Sequence, residues 1–107
     1  MKVEVLYVAN CPWHGPAVRL VQEALATHGI AANIDEVLVT DGGMAGELRF
    51  LGSPTIRING RDVAGESSGA ETFGLTCRIY PGARQCGLPP VEMVNRAVIE
   101  AVVGDRK

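Results

Sequence analysis

Val3-Glu4-Val5-Leu6-Tyr7-Val8-Ala9-Asn10-Cys11-Pro12-Trp13-His14-Gly15-Pro16-Ala17 is the stretch on which the fold depends. Its opening residues are β-branched and aromatic and nearly continuous in apolar character after Glu4, the pattern of a strand buried on both faces and therefore central in its sheet. Asn10 to Pro16 break that pattern with Asn10, Pro12, Gly15 and Pro16. From Ala17 onward, Val18, Val21, Ala24, Leu25 and His28 recur at helical spacing until Gly29 stops the run. Pro16 biases Gly15 away from the helical region, which leaves two starts open for the helix: directly behind Cys11, or at Pro16 with Cys11 in a loop several residues ahead of it. The stretch reads as strand, turn and helix, with a cysteine at the junction.

Working outward, Ala32 to Val39 carries a second strand, with Ile34 opposed to Asn33 and Asp35 before the apolar Val37-Leu38-Val39. The two strands and the helix between them form a βαβ unit, whose strands are expected to be parallel. Thr40-Asp41-Gly42-Gly43 reads as a turn, with Thr40 or Asp41 capping a short helix through Leu51. Thr55-Ile56-Arg57-Ile58 and Arg61-Asp62-Val63-Ala64 flank Asn59-Gly60, the two-residue signal of a β-hairpin. Gly65 to Gly87 is rich in Gly and Ser and without clear period, with Cys77-Arg78-Ile79-Tyr80 expected to add a few extended residues. Pro89-Pro90 introduces a last helix, its stripe formed by Val91, Val94, Ala97, Val98, Ala101 and Val102. A single domain over residues 1–103 is expected, with 104–107 a loose tail.

Composition narrows the function classes. The 107 residues include 10 basic and 12 acidic side chains, a net charge of −2 with no basic stripe to track phosphates, so nucleic acid is not an expected partner. No apolar run approaches the roughly 20 residues that cross a bilayer, and Met1-Lys2 leads straight into the first strand pattern, so a cytoplasmic protein with no membrane partner is expected. Three cysteines are an odd number, and a cytoplasmic setting disfavours permanent bridges.

Cys11 is the focus of any chemistry. A cysteine at a helix N-terminus faces unpaired N–H groups and the positive end of the helix dipole, which favour thiolate, the attacking species. His14, three residues on, is placed to act on that thiol either as an imidazolium that stabilises the thiolate or as an imidazole that takes its proton. Cys77 and Cys86 enclose Pro81-Gly82, a turn able to bring their two thiols together.

The order β-α-β-α-β-β-α, with a cysteine at the first strand-to-helix junction and an X-Pro bond just before the third strand, resembles the thioredoxin-like superfamily over most of the chain. It implies an α/β three-layer sandwich around a mixed central sheet. Cys11-Pro12-Trp13-His14 stands where that superfamily has Cys-x-x-Cys, and Ser53-Pro54-Thr55 where it has its cis-proline loop. Leu51-Gly52-Ser53-Pro54-Thr55-Ile56-Arg57-Ile58-Asn59-Gly60, together with Gly74-Leu75-Thr76-Cys77-Arg78-Ile79-Tyr80, is similar to a group of small bacterial thioredoxin-like proteins. Relatives of that group include selenocysteine-bearing chains and chains labelled alkylmercury lyase by similarity. The resemblance implies Trp13, Ser53, Pro54 and Thr55 as substrate-binding residues, with Ser53 backbone beside Cys11 to pair with an extended thiol substrate.

Without a cysteine at position 14 the local resolving step of a dithiol couple is missing. A resolving thiol then comes from Cys77, from Cys86, or from a small thiol such as glutathione or mycothiol. The expected function is a thiol-dependent redox or thiol-transfer protein, its substrate a small thiol or a protein disulfide, with no cofactor. Two alternatives stand beside it: a heavy-metal carrier for mercury, copper or zinc, and a redox-inactive thioredoxin-like adaptor. Cys11, His14, Cys77 and Cys86 lack the paired short spacings of a zinc site, and no metal ligand set is assigned.

Overall fold

The computed structural model describes residues 1–50, 52–64 and 87–105. Strand β1 (Val3–Tyr7) pairs in parallel with β2 (Ile34–Leu38), from Val3 opposite Ile34 to Tyr7 opposite Leu38. On its other side β1 pairs antiparallel with β3 (Thr55–Ile58), Val3 facing Ile58 and Leu6 facing Thr55. Strand β4 (Arg61–Asp62) closes the hairpin, so the order among the described residues is β2-β1-β3-β4 in one mixed sheet. The apolar run of β1 is thus central, as its continuity predicts. Asn59 and Gly60, at φ 53° and 80°, supply the two left-handed residues of the hairpin turn.

Alternation along the strands sends side chains to two separate cores. Val3 and Val5, with Ile56 and Ile58, face one side and pack on α1 (His14–Thr27) through Ala17, Val21, Ala24 and Leu25. Helix α3 (Val91–Asp105) joins the same core through Val94 and Val98. Leu6 faces the other side, where it meets Val39, Ala45 of α2 (Gly42–Leu48) and Phe50. The described residues therefore form a small α/β domain with helices on both faces of a four-stranded mixed sheet.

Helix α2 is short and contains Gly42, Gly43 and Gly46, so its ends matter more than its propensity. Asp41, rather than Thr40, is the N-cap, its Oδ1 accepting from Met44 N–H at 2.8 Å. The other end is a left-handed cap. Arg49 stands at φ 54°, its N–H reaches Gly46 O, and Phe50 N–H reaches Ala45 O at 2.8 Å, which stops the helix at Leu48 rather than Leu51. Arg57 of β3 crosses to this terminus and donates from Nη2 to Leu48 O and Arg49 O. Asp41→Ala should cost about 1 kcal/mol, read as a lower urea midpoint at unchanged slope.

Several boundaries move. Of the two starts open to it, helix α1 takes neither: it begins at His14, ahead of Pro16 and one turn after Cys11. A proline in the first turn gives up no intrahelical bond, and Gly15 lacks the Cβ that would crowd the following proline ring. Strand β4 ends at Asp62 because the Asp62 carboxylate takes the Ala64 N–H at 2.8 Å and turns the chain. Helix α3 runs through Gly104 to Asp105, so the first two residues of the expected loose tail are helical. The extended segment expected at Cys77-Arg78-Ile79-Tyr80 lies outside the described residues. Among those described, no helix is long and apolar enough to cross a membrane.

Candidate functional site

Cys11 follows β1 in a double turn. Asn10 takes a left-handed conformation at φ 62°, which asparagine tolerates better than most residues, and it folds the chain so that Cys11 N–H donates to Val8 O at 3.3 Å. Cys11 O in turn accepts from His14 N–H at 3.3 Å. Trp13 is the N-cap of α1 and offers no side-chain cap, and no acidic residue occupies the first turn. Partly buried Cys11 stands ahead of the N-cap, outside the first helical turn where the dipole acts most strongly.

The His14 ring is held away from the helix by two strands. It stacks on Tyr7, the last residue of β1, with centroids 3.6 Å apart and planes 9° from parallel. Its Nε2 lies 2.5 Å from Glu36 Oε1 on β2, with the two side chains 27% and 47% exposed. An ionised carboxylate only accepts, so Nε2 carries the proton in this pair. Among the described residues the ring's polar partner is Glu36 rather than the Cys11 thiol.

The loop before β3 reaches the same end of the sheet. The Ser53–Pro54 bond is cis. Ser53 Oγ accepts from Val8 N–H at 3.1 Å, and Val8 also receives the Cys11 N–H, so one residue links the loop to the Cys11 turn. Thr55 Oγ1 donates to Gly52 O at 2.6 Å and closes the loop on itself. Ser53 and Thr55 are 1% and 0% exposed and Pro54 is fully buried, so these side chains brace the turn from inside. Trp13, at the N-cap of α1, has its indole against Gly87, where a Cβ would fall 2.8 Å from Cε2 and 2.9 Å from Cδ2.

Of the residues singled out from sequence, Cys11, His14 and the Ser53-Pro54-Thr55 loop thus meet at the end of β1, Trp13 seats on Gly87, and Cys77 and Cys86 lie outside the described residues. Tyr7 and Glu36 escaped the sequence reading. Glu36 had a signal: it shares the parity of Ile34, so it is a charged side chain on the core-facing side of its strand. Among the described residues no group of three or more His, Cys, Asp or Glu side chains is placed to hold a metal ion. Comparison of the chain with protein-family models, with curated proteins and with solved structures gives no match.

Proposed function

We propose that this protein is a thiol-dependent redox or thiol-transfer protein of thioredoxin-like topology, with Cys11 as its single nucleophile. The observation that carries this reading is Val8, which holds the Cys11 N–H at its carbonyl and the Ser53 hydroxyl at its N–H. A reactive-cysteine turn and an X-Pro loop are thereby joined at the carboxyl end of a central strand, the place where α/β sheets put their sites.

In the reaction proposed, the Cys11 sulfur attacks one sulfur of a disulfide substrate. The substrate S–S bond breaks, a mixed disulfide forms on Cys11, and the other half leaves as a thiol with the proton that Cys11 gave up. A small thiol such as glutathione or mycothiol then attacks the substrate-derived sulfur of the mixed disulfide, the bond to Cys11 breaks, Cys11 leaves and regains a proton, and the substrate half departs as a disulfide with that small thiol. In the alternative route Cys77 or Cys86 attacks the Cys11 sulfur, the substrate half leaves as a thiol, and the resulting Cys11 disulfide is reduced by two equivalents of a small thiol, which leave as its disulfide. His14 manages the proton, Trp13 walls the site, and the 53–55 loop holds the turn in place from beneath.

Peptide-resolved mass spectrometry of iodoacetamide alkylation at pH 6 tests the reading. Cys11 in the native protein should react about tenfold or more faster than Cys11 in the same chain unfolded in urea. Equal rates sink the nucleophile. In the same experiment, incubation with glutathione disulfide should place one glutathione on Cys11 and none on a Cys11→Ser variant.

A further inference from the structure

Helix α3 turns Val94 and Val98 into the core, both fully buried, yet its outer side is not the polar face expected of a helix at a domain surface. Val91, Ile99 and Val103 lie there, exposed to 48%, 48% and 59%. Three of the four exposed large apolar side chains among the described residues thus stand on one helix. With Asn95 they follow one another every fourth residue and form a single i±4 ridge, the kind that packs into a groove of a second helix. Single exposed apolar residues are ordinary, whereas an aligned row marks a surface with a partner.

The adjacent ridge says which partner fits. Glu92, Arg96 and Glu100 also follow one another every fourth residue, all exposed, and their charges alternate in sign. The spacing allows pairs within the helix, but among the described residues Arg96 pairs with neither carboxylate. Arg96 and Glu100 also line an open groove of about 380 Å³ between α3 and the end of the hairpin, with Val63, Ala64, Met93 and Ala97 as its apolar lining. Any partner of one charge sign meets a like charge in that row. A row that reads the same in both directions instead matches an inverted copy of itself shifted by one turn.

We propose that α3 is a self-association surface, on which a second copy of this chain packs its own α3 in antiparallel sense about a two-fold axis at the level of Val98. Arg96 of each copy then faces Glu100 of the other, so the ion pair forms twice, as an isologous contact requires. The apolar ridges interdigitate about the same axis. Ile99 stands between Asn95 and Ile99 of the second copy, and Asn95 stands between its Ile99 and Val103. Burial of the ridge supplies the attraction, and the charges fix orientation and register. One helix ridge per copy is a small contact, below the roughly 1,200 Å² of stable complexes, so the dimer forms at micromolar concentrations and above. It uses none of the residues around Cys11 and stands whether or not Cys11 is a nucleophile.

Sedimentation velocity of the intact chain tests this from about 5 to 500 µM, with a phosphine reductant present so that no disulfide links the copies. Wild type should pass from monomer to dimer across that range. Ile99→Glu, at the centre of the contact, should weaken the dimer about tenfold or more. Arg96→Glu alone and Glu100→Arg alone should each weaken it, since each brings like charges together twice. An equimolar mixture of these two variants should form a mixed dimer as readily as wild type forms its own, because every 96–100 pair is then of opposite sign. All three positions are exposed, so the variants should keep the wild-type circular dichroism spectrum. A wild type that stays monomeric at the highest concentration overturns the proposal, as does a dimer unaffected by Ile99→Glu. Failure of the mixture to give a mixed dimer overturns the antiparallel pairing and the proposal with it.

Discussion

Replacing Phe50 with alanine should remove about 3–5 kcal/mol of stability. Phe50 is fully buried and is the largest side chain in the core on the α2 face, where it meets Leu6, Val39 and Ala45. That core is small, and its partly buried rim of Val8, Val37, Met44 and Leu48 belongs to elements already committed elsewhere, so a hole at its centre has little to collapse into it. The loss is compounded because Phe50 also ends α2. Its N–H reaches Ala45 O, and its ring lies in the same cluster as Ala45, the hydrophobic contact that accompanies this type of helix stop. Against a total stability of about 5–15 kcal/mol for a domain, such a loss is large. Urea denaturation should show the midpoint falling steeply at nearly constant slope, and a loss under about 1 kcal/mol would mean the ring is not the keystone of this face.

Gly87→Ala should remove roughly 2–5 kcal/mol through two separate effects. Residue 87 stands at φ +134°, a conformation that side-chain-bearing residues rarely adopt. Its added Cβ would also lie 2.8 Å from Trp13 Cε2 and 3.1 Å from Nε1, so either the indole or the 87–90 segment must shift. An indole is rigid, and it sits at the N-cap of α1, two residues after Cys11. Displacing it therefore disturbs the turn between Cys11 and α1 as well as the segment leading into α3. Trp13 is the single tryptophan of the chain, so its fluorescence reports on this contact without interference. The variant should shift the emission and lower the unfolding midpoint. Introduced into a Trp13→Ala background, the same substitution should cost only its backbone component, a clear reduction of the effect. An unchanged spectrum and midpoint would contradict the packing.

Much of this architecture is legible without coordinates because it is periodic or local. The apolar continuity of Val5 to Ala9 marks β1 as central, the spacing of Ala17, Val21, Ala24 and Leu25 gives α1 its buried stripe, and Asn59-Gly60 specifies a hairpin turn through two left-handed residues. Boundaries proved less legible, since they depend on which side chain captures a stray N–H or carbonyl. Asp62 shortens β4, Phe50 and Arg49 stop α2 early, and Gly15 allows α1 to begin ahead of its proline.

The candidate site divides along the same line. The junction position of Cys11 and the nearness of His14 in sequence follow from adjacent residues and a strand-to-helix turn, and the chain itself determines them. What the His14 ring touches does not follow, because three residues of spacing allow the imidazole to turn toward the thiol or away from it. The parallel pairing of β1 with β2 decides the matter. It sets Glu36 opposite Val5, on the α1 side of the sheet and within reach of Nε2, and it leaves Tyr7 on that same side to stack beneath the ring. Likewise, the seat of Trp13 on Gly87 and the tie from Ser53 to Val8 join residues distant in the chain. Strand register and helix packing bring such pairs together, and no local pattern of residue types encodes a contact whose two halves meet only once the sheet is assembled.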